Sequence, residues 1–245
     1  MLKTGILGGG QLGRMLLQTA VNYPVETYVL ENDASCPAAH LCHHFTMGDI
    51  RDFNDVYNFG KHLDVITIEI ESVNIDALEK LQKEGVRVYP TPSALRIIKN
   101  KIHQKEFYVS LQIPSSPFII TRTLEELRQQ SDFFPAMHKI AEGGYDGRGV
   151  QVINELSDTY KGFDAPAILE KMVDVHKEIA QIVAMSDTGE IALYPPVDMV
   201  FDTDLNLLDF QLSPADIPEK TKWKIEDAIK NLNKELVRFL KPKEK

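Results

Sequence analysis

The first twenty residues constrain the fold of this chain more than any other segment does. An apolar strand at 4–7 runs into a glycine turn at 8–13, and residues 14–20 have the spacing of a helix. A second strand is predicted at 26–31, and a buried strand at 65–70. Strands that alternate with helices predict a parallel sheet, so the amino-terminal part is expected to have an α/β fold of Rossmann type.

Three further segments complete this first part of the chain. Apolar residues at helical spacing over 75–84 precede strand character at 86–90, and Pro92 opens another helix. We therefore expect a Rossmann-like parallel-sheet domain over residues 1–95. The remaining residues, 96–245, form the second predicted domain.

Antiparallel strands are predicted to dominate the second domain. Strands at 136–140 and 150–153 flank a second glycine loop, and a strand at 167–171 is followed by one continuous strand over 177–184. An amphipathic helix is predicted to begin near Pro218. This part of the chain is therefore predicted to form an α+β domain.

Composition narrows the classes of partner. The chain has 245 residues, 43% of them hydrophobic, which is enough for a substantial core. Its formal net charge of −9 disfavours broad attraction to nucleic acid or to an anionic membrane, so any phosphate site must be local. With two cysteines and no long uncharged apolar run, a reduced cytoplasm is the expected compartment.

Cysteines and histidines crowd the segment 36–44, which first suggests a metal site. Cys36 and Cys42 do not have the spacing of a zinc knuckle, and no second Cys/His pair lies at a usual distance. We therefore favour a loop or half-buried turn, and we identify no metal ligand in the chain.

The glycine loop that follows Lys139 is the most informative motif for function. It combines glycines with Tyr145, Asp146 and Arg148, whereas a plain linker would contain glycine and serine alone. Successive backbone N–H groups in such a loop can hold phosphate oxygens. An ordinary hairpin between two strands is the alternative interpretation.

The first glycine turn also has two interpretations. The pattern Gly8-x-Gly10-x-x-Gly13 satisfies the dinucleotide fingerprint, with Glu31 placed to bind a ribose hydroxyl, which would indicate an NAD-dependent oxidoreductase. A glycine turn at a helix amino terminus can equally serve any phosphate. The second glycine loop favours that interpretation, since a dehydrogenase does not need it.

Two lysines and two carboxylates accompany the second loop. Lys101 and Lys139 offer cations for triphosphate oxygens, and Glu170 and Glu178 lie on later strands where they could contact a nucleoside. Any one of them alone would be read as a surface charge. Together with the loop they indicate a nucleotide clamp.

Three ordered motifs, over 6–15, 67–71 and 143–149, resemble the 5-(carboxyamino)imidazole ribonucleotide synthase family. The resemblance runs from residue 1 to about 219. It implies a pre-ATP-grasp domain followed by an ATP-grasp domain, whose flap subdomain would span about 115–170. Members of this family use MgATP and bicarbonate to carboxylate 5-aminoimidazole ribonucleotide in purine biosynthesis, and the resemblance also implies a homodimer.

The resemblance assigns roles by position. The ATP ligands would be two phosphate-binding lysines, flap glycines, an adenine-binding segment and a ribose-binding acid, namely Lys101, Lys139, Gly144, Gly147, Gly149, Glu170, Lys171, Val173 and Glu178. The imidazole nucleotide and carboxyphosphate would face Glu71, Tyr145, Asp146 and Arg148, with Gly10, Gln11 and Leu12 near the nucleotide phosphate.

The chain departs from the family pattern in two ways. Val150 and Phe201 replace the polar residues that are frequent at these positions. Family members also continue into a strand and an Asn-Glu-x-x-Pro-Arg stretch that supply metal ligands, so the ATP-grasp domain is expected to be incomplete at its carboxyl end. A non-catalytic nucleotide-binding module is therefore the alternative to an active ligase.

Overall fold

The computed structural model describes residues 1–144, 149–186, 188–202 and 207–240, the last ten of them as backbone only. The chain divides into two compact units, Met1–Lys99 and Asn100–Lys245. Each unit is described by itself.

The first unit contains a five-stranded parallel sheet in the order β3-β2-β1-β4-β5. Its strands are β1 (Leu2–Leu7), β2 (Val25–Glu31), β3 (His44–Met47), β4 (Val65–Ile68) and β5 (Arg87–Tyr89). The predicted parallel sheet is confirmed. β3 was not predicted.

Four helices accompany this sheet: α1 (Gln11–Ala20), α2 (Phe53–Gly60), α3 (Ile75–Lys83) and α4 (Pro92–Lys99). The domain boundary expected at residue 95 falls inside α4. Leu78 and Leu81 of α3 pack with Ile66 of β4 in the main core, and all three are fully buried. The burial of α3 against the sheet thus explains its helical apolar spacing.

The strand order reverses at β1, which lies between β2 and β4. The carboxyl ends of parallel strands meet at one edge of the sheet, and ligands of open α/β sheets bind where the order reverses. The glycine turn after β1 and the acidic residues after β4 therefore share this edge.

The second unit begins with α5 (Lys101–Ser110) and a four-stranded antiparallel sheet in the order β6-β9-β7-β8. The strands are β6 (Phe118–Thr121), β7 (Ala136–Ile140), β8 (Val150–Ile153) and β9 (Ala167–Lys171). The three strands predicted between 136 and 171 are confirmed. α6 (Leu124–Arg128) and 3-10 turns at Ser131–Phe133 and Leu156–Lys161 lie between the strands.

One face of this sheet is apolar. Ala136 of β7 and Leu169 of β9 are fully buried there against Leu127 of α6. Side chains alternate along a strand, so the neighbouring residues Met137, Glu170 and Lys139 belong to the opposite face.

The continuous strand expected over 177–184 is wrong, because the segment forms two strands in different sheets. β10 (Glu178–Ala180) pairs with β13 (Val197–Phe201), whereas β11 (Val183–Met185) pairs with β12 (Ile191–Leu193). The chain changes partner at Gln181, whose side-chain amide donates to the Tyr194 carbonyl at 2.9 Å.

β13 also pairs with β14 (Leu208–Leu212), which is an edge strand in the described part of the sheet. The helix predicted near Pro218 is confirmed as α7 (Glu219–Leu240). No helix within the described ranges is both long and apolar enough to cross a membrane.

Candidate functional site

A partly buried carboxylate organises the candidate site, on the face of the four-stranded sheet opposite to Leu169. Glu170 of β9 lies opposite Met137 of β7, two residues from Lys139. In an antiparallel pair such diagonal neighbours share a face and are within reach of a long side chain. Accordingly, Lys139 Nζ donates to Glu170 Oε2 at 2.5 Å. Two of the four clamp residues predicted from the sequence are thus brought together.

A second lysine completes this cluster. Lys105 Nζ of α5 donates to Glu170 Oε1 at 2.5 Å and also contacts the Ser115 hydroxyl. The Lys105 residue is 6% exposed, and the Glu170 side chain is 13% exposed. A buried ammonium group is tolerated only when it is paired, so this contact accounts for the position of Lys105 inside the unit.

The electrostatics of the cluster follow from these contacts. Burial raises the pKa of Glu170, but the hydrogen bonds and charges of Lys105 and Lys139 lower it by more, so the pKa lies below its ordinary value. Burial, followed by the negative charge of Glu170, raises the pKa of the nearby Tyr108 phenol. Glu170 is therefore ionised at neutral pH and shared by two cations.

Lys101, the other predicted phosphate ligand, begins α5 beside the residues that precede the glycine loop. Its backbone N–H donates to the Ala141 carbonyl at 2.9 Å. The preceding Asn100 caps the helix through its side-chain oxygen, while its amide nitrogen donates to Glu142 Oε1 at 2.8 Å. These bonds hold the amino end of the helix against the segment that follows β7.

The ends of the glycine loop approach each other closely. Gly143 and Gly149 have φ angles of +80° and +85°, a region that disfavours side chains. A Cβ atom on Gly149 would lie 2.8 Å from Gly144 Cα. The intervening predicted residues lie outside the described part of the chain; they are Tyr145, Asp146, Gly147 and Arg148.

Three other predicted ligands do not join the cluster. Lys171 lies on the opposite face of β9, where its ammonium donates to the Phe133 and Phe134 carbonyls at 3.0 and 3.2 Å. Val173 is exposed after the strand, and Glu178 is exposed at the start of β10. A contact between Lys171 and a nucleotide would therefore have to use the backbone.

In the first unit, two carboxylates surround the glycine turn. Glu31 accepts from the Gly9 N–H at 2.9 Å and from the Asn32 N–H at 2.7 Å, so both of its oxygens already bind backbone. The carboxylate of Glu69 lies 2.7 Å from where a Cβ on Gly8 or on Gly10 would stand. Gly8 has a φ of +105°, which favours glycine at this position. Glu31 stabilises the turn through both of its oxygens, which weakens the assignment of Glu31 to a ribose hydroxyl.

The predicted substrate residues of this unit lie at the same sheet edge. Gly10 is the N-cap of α1, and Gln11 and Leu12 are exposed in its first turn. The first N–H groups of a helix have no partner within the helix, which suits an anion. Glu71 is exposed beyond β4, two residues past Glu69.

Lys105 and Glu69 were not predicted as site residues, although the spacing of each from a predicted site residue could have indicated it. Lys105 follows Lys101 by four residues, which places both lysines on one face of α5. Glu69 precedes Glu71 by two residues in a strand-like segment, so alternation would give both the same direction.

Residues 36–43 form turns and bends as expected, and His44 begins β3. Cys36 is buried, and Cys42 is partly buried against the core of the first unit. Within the described residues, no three His, Cys, Asp or Glu side chains come together as a metal site.

Comparison with known proteins relates each unit to a family of domains. A model of the ribonucleotide synthetase preATP-grasp domain matches residues 1–99, and a model of the ATP-grasp domain matches residues 106–239.

Individual relatives agree with these matches. The chain is 37% identical over 224 residues to a chloroplastic phosphoribosylaminoimidazole carboxylase from Vigna aconitifolia, which covers 89% of this chain and 40% of the relative. The crystal structure of N5-carboxyaminoimidazole ribonucleotide synthetase from Thermotoga maritima superposes with a TM-score of 0.86 at 30% identity, covering 97% of this chain and 62% of that one.

A third relative was solved with ligands. N5-carboxyaminoimidazole synthase from Aspergillus clavatus, in complex with ADP and 5-aminoimidazole ribonucleotide, superposes with a TM-score of 0.83 at 29% identity, over 94% of this chain and 61% of that one. The chain thus spans 40% of the curated relative and less than two thirds of these two solved chains.

Proposed function

The chain belongs to the ATP-grasp family, and from this membership we propose that it binds ATP and acts in the ATP-dependent carboxylation of 5-aminoimidazole ribonucleotide. The observation that carries the proposal is the ion-paired cluster of Lys139 and Glu170 beside the glycine loop. The Aspergillus clavatus relative was solved with ADP and 5-aminoimidazole ribonucleotide, which supports both proposed ligands.

In the proposed reaction, bicarbonate oxygen attacks the γ-phosphorus of ATP, and ADP leaves with the electron pair of the broken P–O bond. The resulting carboxyphosphate releases carbon dioxide and phosphate. The exocyclic amine of 5-aminoimidazole ribonucleotide adds to the carbon dioxide and loses a proton, which gives 5-(carboxyamino)imidazole ribonucleotide.

The residues of this chain contribute charge and shielding in that scheme. Lys139 and Lys101 would neutralise phosphate oxygens, and Glu178 would bind the ribose. The loop between Gly144 and Gly149 would cover the phosphates and exclude water from the labile intermediate. Glu71 and the first turn of α1 would face the imidazole nucleotide.

Magnesium is expected with ATP, because it would neutralise the negative charge of the phosphates during phosphoryl transfer. The described residues gather no set of three metal ligands, so we assign no magnesium ligand. Bicarbonate as substrate, the homodimer and the cytoplasmic compartment likewise stay predictions. A nucleotide-binding module without catalysis stays the alternative prediction.

The test combines ADP release with ATP-dependent thermal stabilisation. ADP release with MgATP and bicarbonate that depends on 5-aminoimidazole ribonucleotide would support the ligase, whereas stabilisation by ATP without turnover would support the binding module. Lys139→Met should lose most of the stabilisation by ATP. Lys161→Met is the matched control, since it breaks an exposed lysine–aspartate pair on a 3-10 turn. Equal effects of both variants would remove Lys139 from the site.

A further inference from the structure

The two lysines that share Glu170 differ in their surroundings. Lys105 Nζ is enclosed by the Ser115 hydroxyl, by the Ser116 carbonyl at 3.5 Å, and by the Phe118 ring, whose centroid is 5.7 Å away. Its side chain is 8% exposed, whereas the side chain of Lys139 is 28% exposed. Lys105 is therefore fixed in the interior, and Lys139 has access to solvent.

The two ammonium groups also use different oxygens of the carboxylate. Lys105 binds Oε1 and Lys139 binds Oε2, each at 2.5 Å. If Lys139 turned away, the contact between Lys105 and Oε1 would persist. Glu170 would then remain paired, and no buried carboxylate would be left without a cation.

We propose that Lys105 is a positioning residue that keeps Glu170 neutralised, so that Lys139 can leave this carboxylate and bind the phosphates of a nucleotide. The inference rests on the proposed function, because it presumes that a nucleoside triphosphate is the ligand. It adds a role for a residue that touches neither the ligand nor the reacting atoms.

The physical reason is that a phosphate group and the Glu170 carboxylate compete for the ammonium group of Lys139. With Lys105 present, a phosphate group competes for Lys139 against a carboxylate that has a second partner. Without Lys105, Glu170 would depend on Lys139 alone, and releasing that lysine would leave an uncompensated buried charge. Phosphate binding should therefore weaken, while contacts of the nucleoside moiety should be affected much less.

The experiment compares ATP with adenosine, which lacks the phosphates. Dissociation constants for both ligands are measured for the wild type, Lys105→Met, Glu170→Gln and the double variant. We expect Lys105→Met to weaken ATP binding about tenfold or more relative to adenosine. In the Glu170→Gln background no carboxylate retains Lys139, so the same substitution should change the ratio of the two constants little.

Two results would overturn the inference alone. One is an unchanged ratio of the ATP and adenosine constants in Lys105→Met, and the other is an equal change of the ratio in both backgrounds, which would indicate a purely structural role. A wild-type chain that does not bind ATP would overturn the proposed function as well.

A measurement on the wild type guards against misfolding of the variant. Lysine ammonium NMR signals, with Lys139 assigned through Lys139→Met, should show the Lys139 signal shifting when ATP is added and the Lys105 signal staying in place. Movement of both signals, or of neither, would contradict the proposed exchange of partners.

Discussion

His138 is a neutral imidazole sealed inside the four-stranded sheet, with no exposed surface. The Phe163 N–H donates to its Nδ1 at 3.2 Å, so the proton resides on Nε2, which lies 2.9 Å from the Thr121 hydroxyl oxygen. Burial lowers the pKa of His138 to about 4. Protonation would put a charge in the core and would break the bond from Phe163.

This residue should make the stability of the chain sensitive to mild acid. The unfolded state binds a proton near pH 6.5 and the folded state only near pH 4, so the free energy of unfolding falls as pH drops through this window. The loss is at most about 3 kcal/mol. His138→Gln cannot titrate, and its unfolding free energy should depend less on pH between 7 and 4. Urea titrations of both proteins across this range that gave parallel curves would contradict the assignment.

At the scale of elements, α5 depends on one residue at its amino end. The Asn100 side chain accepts from the Ile102 and His103 N–H groups at 2.9 and 3.2 Å, and its amide also reaches Glu142. The same side chain therefore caps the helix and connects it to Glu142, which precedes the glycine loop.

Two substitutions separate these contributions. Asn100→Ala removes the cap and the tie, and should lower the free energy of unfolding by about 1 kcal/mol. Glu142→Ala removes only the exposed tie, and should cost less than about half of that. The measurement is chemical unfolding of the two variants beside the wild type. Equal losses would show that the tie to Glu142, and not the cap, holds the helix.

Elements with a strong local pattern could be predicted from the sequence. Features that depend on which strands or side chains pair with each other could not. Apolar segments on both sides of the glycine loop and after it located β7, β8 and β9. The alternation over 177–184 could not show that the partner strand changes at Gln181, because alternation records burial and not the identity of a neighbour. Lys105 was missed for a related reason. Its spacing from Lys101 indicates only a shared face of α5, whereas its pairing with Glu170 joins residues 65 positions apart, which no local pattern reports.

At the scale of the whole molecule, the resemblance to the 5-(carboxyamino)imidazole ribonucleotide synthase family is confirmed by relatives of that name. The glycine motifs contributed to this because few residues other than glycine adopt a positive φ, as at Gly8 and Gly149, where φ is +105° and +85°. The roles of Tyr145, Asp146 and Arg148 stay predictions, since they lie outside the described residues.

The edge strand β14 exposes an apolar row that should promote self-association. Phe210 and Leu212 lie in register with Val200 and Asp198 on one face of it, and they are 46% and 54% exposed. Phe210→Lys should weaken concentration-dependent association by roughly tenfold, because it removes about 1–2 kcal/mol of apolar contact. Gln211→Lys adds the same charge on the other face and is the control. Sedimentation at several protein concentrations would reveal whether the two variants differ, and identical profiles would contradict a role for the row.

The cluster around Glu170 carries two positive charges and one negative, inside a chain whose formal net charge is −9. A polyanion approaching this protein is thus repelled at long range and attracted only near contact, and dissolved salt screens both effects. Concentrated salt should consequently speed the encounter with ATP by screening the long-range repulsion, and it should shorten the residence time of ATP by screening the local attraction.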